Sequence, residues 1–323
     1  MINNLKKFSS FMSMGVLALL FVFGAAGISQ SAEESPFLYQ DMLYDVDAEE
    51  DNYWIVGYYG SLFKSSDGGK TWTKQDSKTD QPLFKVDFVD SDRGWAVGGY
   101  WATVLYTVDG GATWAHQDPP TENMLRSVYF INKSEGWITG TWSTILKTAD
   151  GGKSWTDQSI KEDSDLGPKD RALNDVYFLN PQIGWVVGEF GTILHSRDGG
   201  KSWNQQKNGV PSDGYFTCAF FTSETEGWVA GLDGILLHTT DGGETWRKID
   251  IDTHVMINDI SVNGSMGLLA GNQGRVFLSN DGGKTWEKQE LGDAAPHWWL
   301  AGVVIKNNPF KGKRAMVVGG HST

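Results

Sequence analysis

Six segments of this chain repeat one short pattern, S/T-x-D-G-G-x-T/S-W, ending at Trp72, Trp114, Trp155, Trp203, Trp246 and Trp286. The tryptophans recur after 42, 41, 48, 43 and 40 residues, which is the length of one propeller blade of four short strands. Stacked helix pairs repeat at similar lengths but need apolar residues every 3.6 positions. Here the flanking segments alternate every second residue, as strands do. Within the pattern, an aspartate followed by two glycines is the chemistry of a hairpin turn. The carboxylate can accept backbone N–H groups just ahead of it while the glycines adopt positive φ. The tryptophan that follows is then expected to pack between neighbouring sheets.

A second element lies inside each period. It reads Gly94-Trp95-Ala96-Val97-Gly98, then Gly136-Trp137 to Gly140, Gly184-Trp185 to Gly188, Gly227-Trp228 to Gly231 and Gly267-Leu268 to Gly271. Looser copies run from Tyr53-Trp54 to Gly57 and from Ala315 to Gly319, making seven. Ahead of each copy stands one fixed apolar position: Val46, Val86, Val128, Val176, Ala219, Ile260 and Val303. The expected fold is an all-β, seven-bladed propeller over residues 35–323. Each blade runs innermost strand, G-W strand, third strand, Asp-box turn, outer strand. The last repeat has no Asp box before the chain ends. Phe37-Leu38-Tyr39-Gln40-Asp41 aligns with the outer strand Trp72 to Asp76, so the mature N-terminal strand is expected to close the ring and cover its open edge.

Residues 1–31 have different chemistry. Lys6 and Lys7 precede an apolar run from Val16 to Ala26, and small residues follow at Gly27, Ser29 and Ser31. This is the layout of an export signal, cleaved after Ser31 or Gly27, or retained as an anchor. A periplasmic or extracellular location is expected, or the thylakoid lumen in a photosynthetic host. The single cysteine, Cys218, allows no intrachain disulfide. It lies among Phe216, Ala219 and Phe220, where a thiol serves as a small core group. With 27 basic and 40 acidic side chains the net charge is −13, which excludes nucleic acid and anionic membrane surfaces as main partners.

Six repeated aspartates at turns are architecture, not catalysts. The repeat-equivalent His195 and His238 are sheet positions. Asp163-Ser164-Asp165-Leu166-Gly167 begins like a calcium loop but lacks the third ligand and the closing glutamate, so neither a metal nor a cofactor is expected. A glycosidase would need two carboxylates about 5 to 9 Å apart across a cleft. Asp45, Asp175 and Asp259 share one position on three innermost strands and leave that alternative open.

The Asp box joined to Gly184-Trp185-Val186-Val187-Gly188-Glu189-Phe190-Gly191-Thr192-Ile193-Leu194 resembles the photosystem II assembly and stability factor family, whose Asp-box, or bacterial neuraminidase, repeats also occur in sialidases and xyloglucanases. The resemblance spans about residues 35 to 323. It implies a seven-bladed, exported scaffold without catalytic activity that engages membrane-protein assembly intermediates. The family's binding surface is an arginine-rich patch. This chain has seven arginines, of which Arg126 and Arg171 alone stand where adjacent blades could bring them together. The sialidase motif F/Y-R-I-P is absent.

Loops carry the specificity of a repeated scaffold. Those after each G-W strand present Tyr58 and Tyr59, Tyr100 and Trp101, Trp142, then Glu189 and Phe190, whereas the remaining blades present Leu232-Asp233, Asn272-Gln273 and His321. Aromatics on four consecutive blades have the composition of a protein-binding surface. The expected partner-binding residues are Tyr59, Tyr100, Trp101, Arg126, Trp142, Arg171 and Phe190. Lys161, Lys169, Asp163, Asp165 and Asp170 of the longest inter-blade loop would add a mixed-charge rim. The expected partner is a membrane protein or its exported segment. Small-molecule substrates are not expected, and the oligomeric state is left open. A carbohydrate-binding or glycoside-hydrolysing, sialidase-like propeller is the alternative, since aromatic arcs also stack on sugar rings.

Overall fold

The computed structural model describes residues 17–24, 27–31, 42–161, 166, 170–211, 213–291, 297–308 and 312–321. Six contiguous segments each fold into a four-stranded antiparallel meander. In blade 1 the strands are Leu43–Glu49, Asn52–Gly57, Leu62–Ser65 and Thr73–Lys74. The innermost strands of blades 2 to 6 are Leu83–Phe88, Leu125–Phe130, Leu173–Phe178, Phe216–Phe221 and Ile257–Asn263. Seven apolar clusters fill the gaps between successive sheets, so the core is divided among the junctions.

The expectation of seven such blades needs correction: six have this form, not seven. The seventh sheet is a C-terminal hairpin, Trp298–Asn308 with Gly312–His321, extended by Leu17–Gly24 and Gly27–Ser31 in the order of the expected third and outer strands. Leu17 pairs with Gly319 and Val22 with Arg314. The strand on this edge thus comes from the segment read as the export signal's apolar core. Phe37 to Asp41, expected to close the ring, lie outside the described residues. Among the described residues no helix is long and apolar enough to cross a membrane.

The Asp box folds as its chemistry requires. Asp241 accepts the Thr245 N–H at 2.9 Å and the hydroxyls of Thr245 and Thr239 at 2.6 and 2.8 Å. These bonds hold its carboxyl down to about 2. Both glycines of every box have φ between 68° and 91°, which a side chain would oppose.

Both tryptophans of a repeat lie at a blade junction, and the one that crosses it is that of the G-W strand. Trp95 of blade 2 stacks on Phe130 of blade 3 at 3.5 Å and donates its Nε1–H to the Gly151 carbonyl in the box of blade 3. Trp155, which ends that box, meets the edge of Phe130 at 6.0 Å. The same sandwich recurs as Trp54–Phe88–Trp114, Trp137–Phe178–Trp203 and Trp185–Phe221–Trp246. The glycine before each bridging tryptophan has its own cause. A Cβ on Gly136 would lie 2.5 Å from the Phe130 ring.

Candidate functional site at the loop face and channel mouth

Inside the ring, the innermost strands line a cavity of about 480 Å³ that contains Asp45, Asp47, Lys85, Asp87, Asp175, Asp259 and Lys306. Its carboxylates tie one blade to the next. Asp45 accepts the Val86 N–H at 2.9 Å, Asp175 the Ala219 N–H at 2.9 Å and Asp259 the Val303 N–H at 2.8 Å. One turn of the pleat further on, Asp47 and Asp87 accept the Phe88 and Phe130 N–H groups at 2.7 and 2.6 Å. Their second oxygens are engaged too, Asp45 by Lys85 at 3.2 Å and Asp175 by the Ser127 hydroxyl at 2.7 Å. Burial pushes Asp45 up to about 7, against the pull of Lys85, and Asp87 up to about 8. Asp45, Asp175 and Asp259, the trio that left a hydrolase open, therefore serve as staples between strands.

At the end of the channel opposite the Asp boxes, every innermost strand carries a β-bulge at the same place. The bulged residues are Tyr44, Phe84, Arg126, Asn174, Thr217, Asn258 and Ala301. A bulge inserts one extra residue and re-aims its side chain. Here all seven line a single mouth of about 370 Å³, together with Tyr215, Asn272 and Trp299. Sequence reasoning missed this ring, although the signal was present: each member stands two residues before the fixed apolar position.

The mouth has two unlike halves. On blades 4 to 6 its polar groups bond to the following blade: Asn174 to the Phe216 carbonyl at 2.7 Å, Thr217 to that of Ile257 at 2.6 Å and Asn258 to that of Leu300 at 2.7 Å. The other half is a run of stacked rings. Trp299 meets Tyr44 at 5.4 Å, Tyr44 meets Phe84 at 5.3 Å, and the Arg126 guanidinium lies over Phe84 at 5.6 Å. Burial raises the Tyr44 phenol to about 12, with Tyr100 and Tyr58 adding to the shift. Tyr58 in turn touches Tyr59 at 4.4 Å, and Tyr100 beside it raises its phenol. The aromatics of blades 1 and 2 thus run continuously from rim to axis.

The expected tip residues stand in solvent. Tyr59, Tyr100, Trp101, Trp142 and Phe190 are 61, 54, 69, 56 and 48% exposed. Trp142 and Phe190 make no ring contact among the described residues. Tyr59, Trp142 and Phe190 hold φ values of 51°, 56° and 57°, a region bulky residues avoid. Arg126 is half-buried in the mouth. Arg171 does not belong with them and is a correction. Only 1% exposed, it donates from Nη1 to the Leu166 carbonyl and the Thr192 hydroxyl beneath the surface. Burial lowers its guanidinium to about 10. Of the expected charged rim, Asp163, Asp165 and Lys169 lie outside the described residues.

Fold and site together define an Asp-box β-propeller with structural channel carboxylates and an aromatic loop face. The family model described as photosynthesis system II assembly factor YCF48 matches residues 27–99, 76–164 and 163–262, and that of the BNR/Asp-box repeat matches residues 277–288. The chain belongs to the photosystem II assembly factor YCF48 family.

Among solved structures, YCF48 bound to D1 peptide superposes with a TM-score of 0.67 at 19% identity, covering 97% of this chain and 98% of that one. YCF48 from Cyanidioschyzon merolae gives 0.70 at 19% identity, over 88% and 95%. The GH74 xyloglucanase from Xanthomonas campestris gives 0.69 at 17% identity, over 88% of this chain and 51% of the enzyme. The chain spans about half of that enzyme, and at these identities the likeness is one of fold. No curated protein matches it in sequence.

Proposed function

We propose that this chain is a non-catalytic, exported scaffold that holds a segment of a membrane protein on its loop face while a membrane complex is assembled. The observation that carries the reading is the aromatic arc: rings on four consecutive blades stand in solvent, three of them at left-handed backbone positions. Rigid tyrosine and tryptophan side chains give large contact area at low entropic cost. Membership of the assembly-factor family and the D1 peptide bound to a YCF48 of the same fold agree with it. In the mature chain, residues 33–41 would close the ring after the signal is removed.

A photo-crosslinking residue placed at Trp101 in cells tests this reading, with the same residue at exposed Lys70 on the Asp-box face as control. Recovery of an integral membrane protein from position 101 and not from position 70 is expected. Equal recovery from both faces, or none from 101, would overturn it. The carbohydrate alternative draws on the same rings and on the xyloglucanase fold. Saturable binding on a glycan array would favour it.

A further inference from the structure

The exposed apolar side chains of this protein are gathered at one face. Of the seven large hydrophobic residues that stand in solvent, Tyr59, Tyr100, Trp101, Trp142, Phe190 and Leu232 sit at the loop tips of blades 1 to 5, and Val108 alone lies at the Asp-box face. Tyr59 and Tyr100 continue inward through Tyr58 toward the mouth. Trp101, Trp142 and Phe190 touch no other ring among the described residues. Their turns are also held from behind. Beside Trp142 the Ser143 N–H donates to the Arg171 carbonyl at 2.9 Å, and beside Phe190 the Gly191 N–H donates to the Gly214 carbonyl at 2.7 Å. A turn fixed in this way cannot fold back to cover its ring, so each remains a separate apolar prong in water.

Separate prongs on successive blades suit a flat, yielding surface, which takes up each ring independently of the next. Tryptophan combines an apolar body with a polar N–H and favours the headgroup level of a bilayer, while phenylalanine and leucine favour its acyl side. Charge narrows the choice of lipid. The connections that flank the tips of blades 1 to 3 expose Asp76, Asp80, Asp118 and Glu122 against Lys78, in a chain of net charge −13. Carboxylates beside the prongs are repelled by anionic headgroups and not by zwitterionic ones.

We propose that Trp101, Trp142, Phe190 and Leu232 seat the propeller, loop face down, on a bilayer whose headgroups carry no net charge. This lipid contact is distinct from the protein segment proposed for the same face and stands without it. Blades 2 to 5 then rest deeper in the interface than blade 6, whose tip is Asn272-Gln273.

Vesicles of phosphatidylcholine brominated on its acyl chains provide the test, because Trp101 and Trp142 are the two solvent-exposed tryptophans among the described residues. Added to the full chain, the vesicles should quench part of its tryptophan emission saturably. In Trp101→Phe/Trp142→Phe, flotation with the vesicles should persist while most of the quenching is lost. Trp101→Ala/Trp142→Ala/Phe190→Ala should bind the vesicles at least about tenfold more weakly at an unchanged melting temperature. Trp101→Glu alone should weaken binding in the same direction, and serves if the triple variant does not fold. No quenching of the wild type, or equal quenching of the phenylalanine variant, would overturn the proposal. So would flotation of the alanine variant equal to wild type, which would assign attachment to the apolar N-terminal segment. Tighter binding to equimolar phosphatidylcholine and phosphatidylglycerol would overturn it as well, assigning attachment to surface lysines. If crosslinking at position 101 recovers a membrane protein while the vesicles do not quench, the lipid contact alone falls. If the vesicles quench while crosslinking recovers none, the scaffold reading falls.

Discussion

At the Asp-box turns the same contacts recur around the ring. Asp67, Asp109, Asp150, Asp198, Asp241 and Asp281 each accept a backbone N–H and a hydroxyl from the residue four further on. On the opposite face the equivalent positions disagree. The left-handed tip holds Tyr59, Trp142 and Phe190 on blades 1, 3 and 4, but Asp233 and Gln273 on blades 5 and 6. The bulge ring varies from Tyr44 to Ala301. A blade needs its turn closed and its tryptophan stacked, and few side chains do either. It needs nothing in particular from a tip or a bulged residue, so variation there is free to serve the recognition proposed for this face. Positions that repeat should therefore govern stability, and positions that vary should govern capture.

The strongest way to break that division is Trp137→Ala. Trp137 is fully buried, stacks on Phe178 at 3.5 Å and donates to the Gly199 carbonyl at 3.2 Å. Its loss should cost ~3–5 kcal/mol in equilibrium denaturation. The protein that remains folded should capture partner normally, and reduced capture by that folded fraction would erase the distinction. Next comes the double variant Trp101→Ala/Trp142→Ala. Capture should weaken by ~2 kcal/mol with an unchanged melting temperature, measured with the crosslinked membrane protein as ligand. A large fall in melting temperature would mean these rings are packing residues after all.

A smaller effect is expected at the turn itself. Asp241→Ala removes acceptors that close the box, at ~1 kcal/mol by comparison with lost helix caps. The pH dependence has a definite sign. The folded Asp241 carboxyl sits near 2, below its usual value near 3.8, so its contribution is complete above about pH 4 and lost as the pH falls toward 2. The gap between wild type and variant should close over that window. A gap that stayed constant down to pH 2 would assign the loss to something other than the carboxylate.

Much of this plan was legible in the sequence because its causes are local. A turn closed by one aspartate and two glycines leaves the same letters wherever it occurs. The period of about 42 residues follows from four strands and their connections. Solvent-facing tips could be read from their place after the G-W strand. The bulge ring was harder, because strict alternation in a strand assigns faces by parity and a bulge breaks parity at one residue. Arg171 misled for another reason. Its neighbours in sequence are charged, which suggested a solvated rim, but the loop turns its guanidinium inward to the Leu166 carbonyl. Nor could spacing reveal which tryptophan crosses a junction, since that depends on Phe88, Phe130, Phe178 and Phe221 of the next blade.

Phe190 offers the finest test, since stability and capture should there move in opposite directions. Its φ of 57° puts a bulky side chain in the left-handed region, which costs roughly 1–2 kcal/mol for an ordinary residue and much less for asparagine. The ring is 48% exposed, so the contacts it makes recover only part of that cost. Phe190→Asn should therefore stabilise the protein by ~0.5–1 kcal/mol in equilibrium denaturation. Blade 5 already takes this course, with Asp233 at the equivalent tip and a φ of 56°. Capture of the partner should weaken at the same time, because the ring is part of the proposed arc. If the variant is less stable than wild type, Phe190 is a packing residue and the arc ends at blade 3. If it is more stable and captures equally well, the ring contributes to neither, and the binding surface shrinks to blades 1 to 3 and the axial mouth.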